Sequence, residues 1–368
     1  MQVRLTESRD RLPIDRAQWN ELASRNATHT AFQTFDWFDT WWSAFGARHR
    51  LFVLTVHQAG AIVGIAPLML VRGPLGMRQL EFTGTPNADY QDLILGGERV
   101  GAIDALGRFL HEARSRWDMI VLRNLPADSP TVRELTEILV RLGHKPMDKE
   151  RQPCPTLRIR GQEEETRQLL NRYSIRRAIR RLAARGSIAY RVLDTPDEID
   201  RHLPEFFSQH IRRWQDSRDP SPFADPAFCG WYRDLAHAAN SAGWLHFSVL
   251  ECAGKPVACH FGFSHGGVLS WYKPSFSPEF ARESPGTTLI CHMIQDAIDR
   301  GLDELDFSSG LEPFKNRFSN VRRECLNLRA FANPVLRAAF VSGATLRLHT
   351  RNSWHRLRGK VPVPDSAD

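Results

Sequence analysis

The sequence of 368 residues has no stretch approaching the roughly eighteen consecutive apolar residues that a membrane helix requires. Its six cysteines, at 154, 229, 252, 259, 291 and 325, form no Cys-x-x-Cys pair. That spacing argues against a disulfide scaffold and for reduced, mostly buried thiols, and no metal-ligand set is expected. The start, Met1-Gln2-Val3-Arg4-Leu5-Thr6-Glu7, is charged and lacks an apolar signal core, so the expected location is cytoplasmic. No helix-turn-helix or zinc module accompanies the basic residues, which makes DNA a poor partner.

What is present supports a folded α/β chain. Ten Trp, 21 Phe and a 42% hydrophobic content exclude disorder and allow a sizeable core in two domains. The net charge of +7 suits an anionic partner without choosing among CoA, nucleotide sugars, tRNA and membrane surfaces. Residues 51–60 read as a strand running into a turn, with 61–71 as its return, and 245–254 with 255–264 repeat that design. Each hairpin precedes more extended chain, a helix and a short strand: 101–116 leads into 119–122, and 285–300 into 304–307. Two copies of one α/β unit are expected, covering 1–150 and 151–335, with a basic tail over 336–368. The boundary is placed at 145–162, where Pro146, Pro153, Pro155 and Gly161 interrupt the periodicity.

The copies differ where chemistry is expected. In the second, Trp271-Tyr272-Lys273 is read as a strand end, and Ser284-Pro285-Gly286 opens a helix that Gly301 stops. Such a helix tip presents bare backbone N–H groups, an anion cradle, assigned to Gly286, Thr287 and Thr288 behind Ser284. Gly286 costs helix propensity and is useful where a ligand approaches the backbone; the plainer reading is a well-capped helix. The first copy has Leu95-Gly96-Gly97-Glu98 there, with an acidic side chain in place of a cradle. Asp306, at the end of the next strand, is expected either as a base or acceptor-orienting group or as a cap on the Ser308-Ser309-Gly310 turn.

Six arginines, at 172, 176, 177, 180, 181 and 185, decorate one helix whose apolar stripe is Ile175, Ala178, Ile179 and Leu182. Arg176 and Arg180 are taken as the centre of a surface for an anionic substrate or tRNA, against the alternative of a merely solvated face. Lys315 is expected either to meet a phosphate or carboxylate or to stay in solvent. Asp89 and Tyr90 either line an acceptor pocket between the copies or close a turn. His260 is read as a hydrogen-bonded core residue, and Trp37, Trp41 and Trp42, at helical spacing, as core.

Several motifs together resemble a known family. They are Gly254-Lys-Pro-Val-Ala-Cys-His-Phe261, Trp271-Tyr272, Ser284-Pro-Gly286, Asp306-Phe-Ser-Ser-Gly310 and Phe314-Lys315, with Phe35-Asp-Trp37, Gly64-Ile-Ala-Pro67 and Asp89-Tyr90 upstream. Their order resembles the CelD-like, FemAB-related branch of the GNAT acyltransferases over about residues 30–330. The resemblance implies two tandem GNAT-like units, each a mixed twisted sheet flanked by helices. It implies an acyl-CoA donor, acetyl-CoA or longer, or in the Fem branch an aminoacyl-tRNA. It also implies acyl transfer to an amine or hydroxyl of a bacterial cell-envelope or polysaccharide precursor, with Asp306 and Tyr272 (as thiolate acid) catalytic. The alternatives are a Fem-like aminoacyl-tRNA-dependent transferase and a non-catalytic adaptor in a polysaccharide biosynthesis complex. The Gln/Arg-x-x-Gly-x-Gly loop of ordinary GNAT enzymes is missing.

Overall fold

The computed structural model describes residues 1–342 apart from 27, 74–75 and 218–219, so the tail expected over 336–368 lies mostly outside the described residues. In chain order the first half comprises β1 (Gln2–Thr6), α1 (Arg16–Ser24), α2 (Phe35–Phe45), β2 (Arg50–Gln58), β3 (Ala61–Arg72), β4 (Arg78–Phe82), β5 (Ile94–Leu95), α3 (Arg99–Glu112), β6 (Met119–Pro126) and α4 (Pro130–Arg141). There follow β7 (Met147–Arg158), α5 (Glu163–Leu170), α6 (Tyr173–Ala183), β8 (Ile188–Leu193), α7 (Pro196–Trp214) and α8 (Pro226–Ser241). The second hairpin and its sequel are β9 (Leu245–Cys252), β10 (Lys255–His265), β11 (Val268–Phe276), α9 (Pro285–Asp299), β12 (Glu304–Asp306), α10 (Pro313–Phe318) and β13 (Val321–Phe331).

The repeat is real and local chemistry makes it. β2–β3 and β9–β10 both turn on an Ala-Gly pair with positive φ, 49° and 85° at Ala59-Gly60 and 52° and 74° at Ala253-Gly254. This is the mirror-image turn whose twist matches a hairpin, and glycine at the second position adopts it without strain. In each half the third strand of the meander then pairs in parallel with the strand behind the helix: β4 with β6, and β11 with β12.

All the strands but β5 lie in one continuous path, β1-β2-β3-β4-β6-β13-β7-β12-β11-β10-β9-β8, and β5 pairs with β3. The segment expected as a boundary is therefore a strand. β7 runs through Pro153 and Pro155 because their carbonyls accept the N–H groups of Gly310 and Phe307, beyond the end of β12, where no strand acceptor awaits a proline N–H. By chain order β7 closes the first half, yet it pairs with β12 of the second; β13 closes the second half, yet it pairs with β6 of the first. The two closing strands also pair with each other. The halves have exchanged their last strands across one sheet.

Helices cover both faces. Leu106, Leu135 and Ile138 of α3 and α4 pack on the first half, and Leu182, Leu289 and Met293 of α6 and α9 on the second. On the opposite face α2 and α8 join the halves directly, Trp37 meeting Trp231 at 5.3 Å and Phe45 meeting Phe228 at 4.9 Å between ring centres. Trp37 and Trp41 are core, as expected. No described helix is long and apolar enough to cross a membrane.

Candidate functional site

β11 and β12 run side by side only from Val268 and Glu304 to Ser270 and Asp306. β12 then ends, Ser308 turns with φ 57°, and β11 continues to Phe276, so the sheet parts just beyond Asp306. Alternation sends Leu305 and Phe307 under α9 and leaves Glu304 and Asp306 on the other face. There they line a cavity of about 280 Å³ with Thr28, His29 and Thr30 from the first half and His265 and Ser270 from the second. Trp271 and Tyr272 lie inside β11 and not at its end, because the strand runs on past the parting.

Asp306 is 5% exposed. Its Oδ1 accepts the Tyr90 hydroxyl at 2.8 Å and the Ser308 N–H at 2.7 Å. Burial pushes the carboxyl up to about 6, against the pull of the Ser308 and Tyr90 donors. Burial first, then Asp306, holds the Tyr90 phenol protonated well above its usual range. The expected base and the expected pocket residue thus meet across the two halves, and Asp306 also receives the turn N–H of the capping alternative. Beside them Glu304 takes Arg323 through two contacts, one of 2.7 Å. His29 and His265 share one hydrogen bond of 2.7 Å between their Nε2 atoms, and burial lowers both, His265 to about 4. The imidazole pair is therefore neutral near pH 7.

The remaining expected residues fall into two groups. Asp89 lies with Lys273, Ser308 and Lys315; burial raises its carboxyl while those neighbours lower it. Lys315 is 3% exposed, donates to the Ser309 carbonyl at 2.7 Å and pairs with Glu312 at 3.0 Å, so it is neither solvated nor free for a ligand. Tyr272, expected as a thiolate acid, is instead a girder. Its hydroxyl donates to the Asn87 carbonyl at 2.8 Å and accepts from Tyr232 at 3.1 Å, so its proton is committed inside the core. His260 is the core residue expected, accepting the Tyr272 N–H at 3.1 Å.

At the tip of α9 Ser284 is left-handed, φ 54°, and its side chain caps nothing. Its carbonyl accepts the N–H groups of Thr287 and Thr288 at 3.1 and 3.3 Å, so two of the three expected cradle amides are spent. The Gly286 N–H has no partner among the described residues. A side-chain carbon on Gly286 would meet only the Phe276 ring, at 3.8 Å, so space lies open before it. The basic helix α6 packs beside this tip: Arg181 donates to the Ser284 hydroxyl at 3.3 Å. Arg176 and Arg180 are exposed and make no ion pair among the described residues.

Sequence reasoning missed Arg213 of α7. Its half-buried guanidinium lies 4.4 Å from the centre of the Phe276 ring and donates to the Pro274 carbonyl; it makes no ion pair among the described residues, and Glu312 acts on it only from a distance. Burial pulls it down to about 10. It missed His29, His265 and Arg323 as well. No local pattern marks any of them, since each acquires its neighbours only through the tertiary fold.

Comparison with known proteins agrees with this architecture. Residues 171–316 match the family described as an acetyltransferase (GNAT) domain. The fold is similar to that of FemX, with 12% identity, a TM-score of 0.63, and 86% of this chain and 96% of that one covered. It is also similar to the C-terminal domain of a lysylphosphatidylglycerol synthetase from Agrobacterium fabrum, with 13% identity, a TM-score of 0.54, and coverage of 90% and 95%. L-PGS from Bacillus licheniformis gives 14% identity, a TM-score of 0.52, and coverage of 92% and 97%. No curated protein matches the sequence. The chain is thus similar to the GNAT acetyltransferase domain by sequence over residues 171–316, and to FemX by fold over most of its length.

Proposed function

We propose that the protein is an acyltransferase that moves an acyl group from acyl-CoA to an amine or hydroxyl of a cell-envelope or polysaccharide precursor. The observation that carries this is Asp306: a carboxyl poised near pH 6, held by Tyr90 at the last rung of a parting strand pair and facing a cavity built by both halves. Such a group takes a proton from an acceptor at neutral pH. The tip of α9 fits a phosphate by its free Gly286 amide, the open space before it, and Arg213 nearby, which makes no ion pair among the described residues. Bound there, an acyl-CoA supplies a thioester carbon open to attack. The chain's own part is to hold the donor's phosphates at Gly286, deprotonate the acceptor at Asp306 Oδ2 and keep Tyr90 protonated beside it.

Thermal-shift and calorimetric titrations with acetyl-CoA, longer acyl-CoAs and bulk tRNA test this. Acyl-CoA at a hundredfold over its Kd stabilises the fold by about 2.7 kcal/mol, and Gly286→Leu removes that shift while the unliganded fold persists. Stabilisation by tRNA alone favours an aminoacyl-tRNA donor, the reading to which the unpaired arginines of α6 and the FemX-like fold lend support. Silence from every ligand points to the adaptor.

A further inference from the structure

The end of the sheet away from the parting strands carries another cavity, where β13 finishes at Phe331 between the ends of α3 and α4. It holds about 170 Å³, well above the roughly 10–15 Å³ that admits one water. Arg323, beside Asp306, lies eight residues back along the same strand, roughly 26 Å at strand spacing. A ligand here takes no part in the transfer step.

The charge of this cavity is one-sided. Arg114 follows α3, Lys145 follows α4, and Arg337 comes from the helix over 334–342 that continues the chain after β13; all three line it, with His111 and His144. No carboxylate lines it, and none of the three cations makes an ion pair among the described residues. Glu112, next to His111 in the chain, is exposed and acts on that ring only from a distance.

Cations beside the last carbonyls of a helix are ordinary, and Arg114 does donate to the His111 carbonyl at 3.0 Å. That account does not cover Arg337. It stands near the start of its helix, just past the Asn333 cap that accepts the Leu336 N–H, where a positive side chain is unfavourable without an anion. Its Nε is buried with no hydrogen bond, while its outer nitrogens are unpartnered among the described residues and not buried.

The two imidazoles are ordered as a relay. The Phe331 carbonyl can only accept, so His144 Nδ1 carries the proton of their 2.9 Å bond, and the neutral His144 ring accepts from His111 Nδ1 at 3.1 Å. His111 Nε2 is left unpartnered among the described residues and not buried. Burial, Arg114 and His144 lower the His111 pKa, and a bound anion reverses that bias and turns Nε2 into a further donor.

We propose that this cavity is a separate ligand site that binds the phosphoryl dianion of a phosphate monoester, whether a free ester or a lipid headgroup. Arg337 is the central donor, Arg114 and Lys145 supply charge at the mouth, and His111 adds an N–H once protonated. Three cations exceed what one carboxylate balances, and a tetrahedral dianion offers oxygens to donors arriving from three segments of chain. This assignment is independent of the acyltransferase reading.

Calorimetric titration of the full chain carrying Gly286→Leu, which fills the space before the α9 tip, tests this at low ionic strength. Sulfate, which stays dianionic, and glycerol 3-phosphate bind, while acetate binds about tenfold more weakly or less. Arg337→Gln weakens sulfate about tenfold or more, the loss of a hydrogen bond from a charged group. Arg114→Gln and Lys145→Gln, both at exposed positions, each cost roughly two- to fivefold. Arg201→Gln, exposed on α7, removes a distant positive charge and changes nothing. Circular dichroism melting checks each fold. Should Arg337→Gln unfold, Arg337→Lys keeps measurable binding and the combined Arg114→Gln and Lys145→Gln variant loses about tenfold. Sedimentation with phosphatidylcholine vesicles containing phosphatidic acid separates the sources: Arg337-dependent pelleting assigns the headgroup, and its absence with glycerol 3-phosphate bound assigns a soluble ester. Absence of sulfate binding, equal binding of acetate, or sulfate binding indifferent to Arg337 overturns the proposal.

Discussion

Asp306 keeps its proton at a pH where an exposed aspartate has lost it, and this has opposite signs for stability and for chemistry. With its carboxyl raised from 3.8 to about 6, the native state binds more protons than the unfolded chain between those values. The contribution is fully present below pH 3.8 and is lost as pH rises through 6. Relative to Asp306→Asn, wild-type stability therefore falls by up to about 3 kcal/mol from pH 4 to pH 8, readable by urea denaturation across that range. Activity runs the other way: kcat/KM rises about tenfold per pH unit below 6 and levels above it, and a pH-rate profile checks this. Tyr272→Phe removes the donor of the Asn87 carbonyl and costs about 1–3 kcal/mol in the same denaturation assay. The sequence marked Asp306, Tyr90 and Tyr272 as noteworthy, but it could not say what they touch. Tyr90 and Asp306 are 216 positions apart, and His29 and His265 are 236 apart. Composition and spacing act locally, so contacts at that range appear only once the halves are folded together.

Among the elements, α9 was the most legible. Its apolar stripe, its Pro at the first position and Gly301 after its last turn fixed it to within a residue, Gly301 with φ 65° and the Leu302 N–H reaching back to the Ala297 carbonyl at 2.9 Å. Ser284 misled because its side chain is a frequent cap by type, while here its backbone is left-handed and its carbonyl does the work. The unstrained, uncrowded Gly286 gives a sharp outcome: Gly286→Ala raises stability by up to about 1 kcal/mol through helix propensity, measured as a higher urea midpoint, whereas Met293→Ala, under the same helix, costs about 2–5 kcal/mol. β7 was misread for a physical reason. Proline signals an interruption only where its missing N–H is needed, and at 153 and 155 the facing partners ask for carbonyls alone.

For the molecule as a whole, the two hairpins announced a repeat, and the repeat is there. What the alternation of apolar residues cannot encode is which strand a given edge will choose, so the exchange of β7 and β13 was invisible. It predicts that residues 1–158 and 159–331, made separately, each carry a closing strand that lacks its sheet partners, β7 without β12 and β13 in one piece and β13 without β6 and β7 in the other, and fail to yield soluble folded material, whereas the intact chain unfolds in one transition by circular dichroism and fluorescence. Two independent transitions, or a well-dispersed NMR spectrum from either piece, would falsify this.

β13 bears also on synthesis. The neighbour that β6 needs is encoded some two hundred residues downstream of it, which at ordinary ribosome speeds means roughly ten to forty seconds of delay. Throughout that interval the amino-terminal sheet has emerged but stays unsealed, so maturation waits for the final stretch of translation, and a ribosome that stalls late releases a molecule open on two sides.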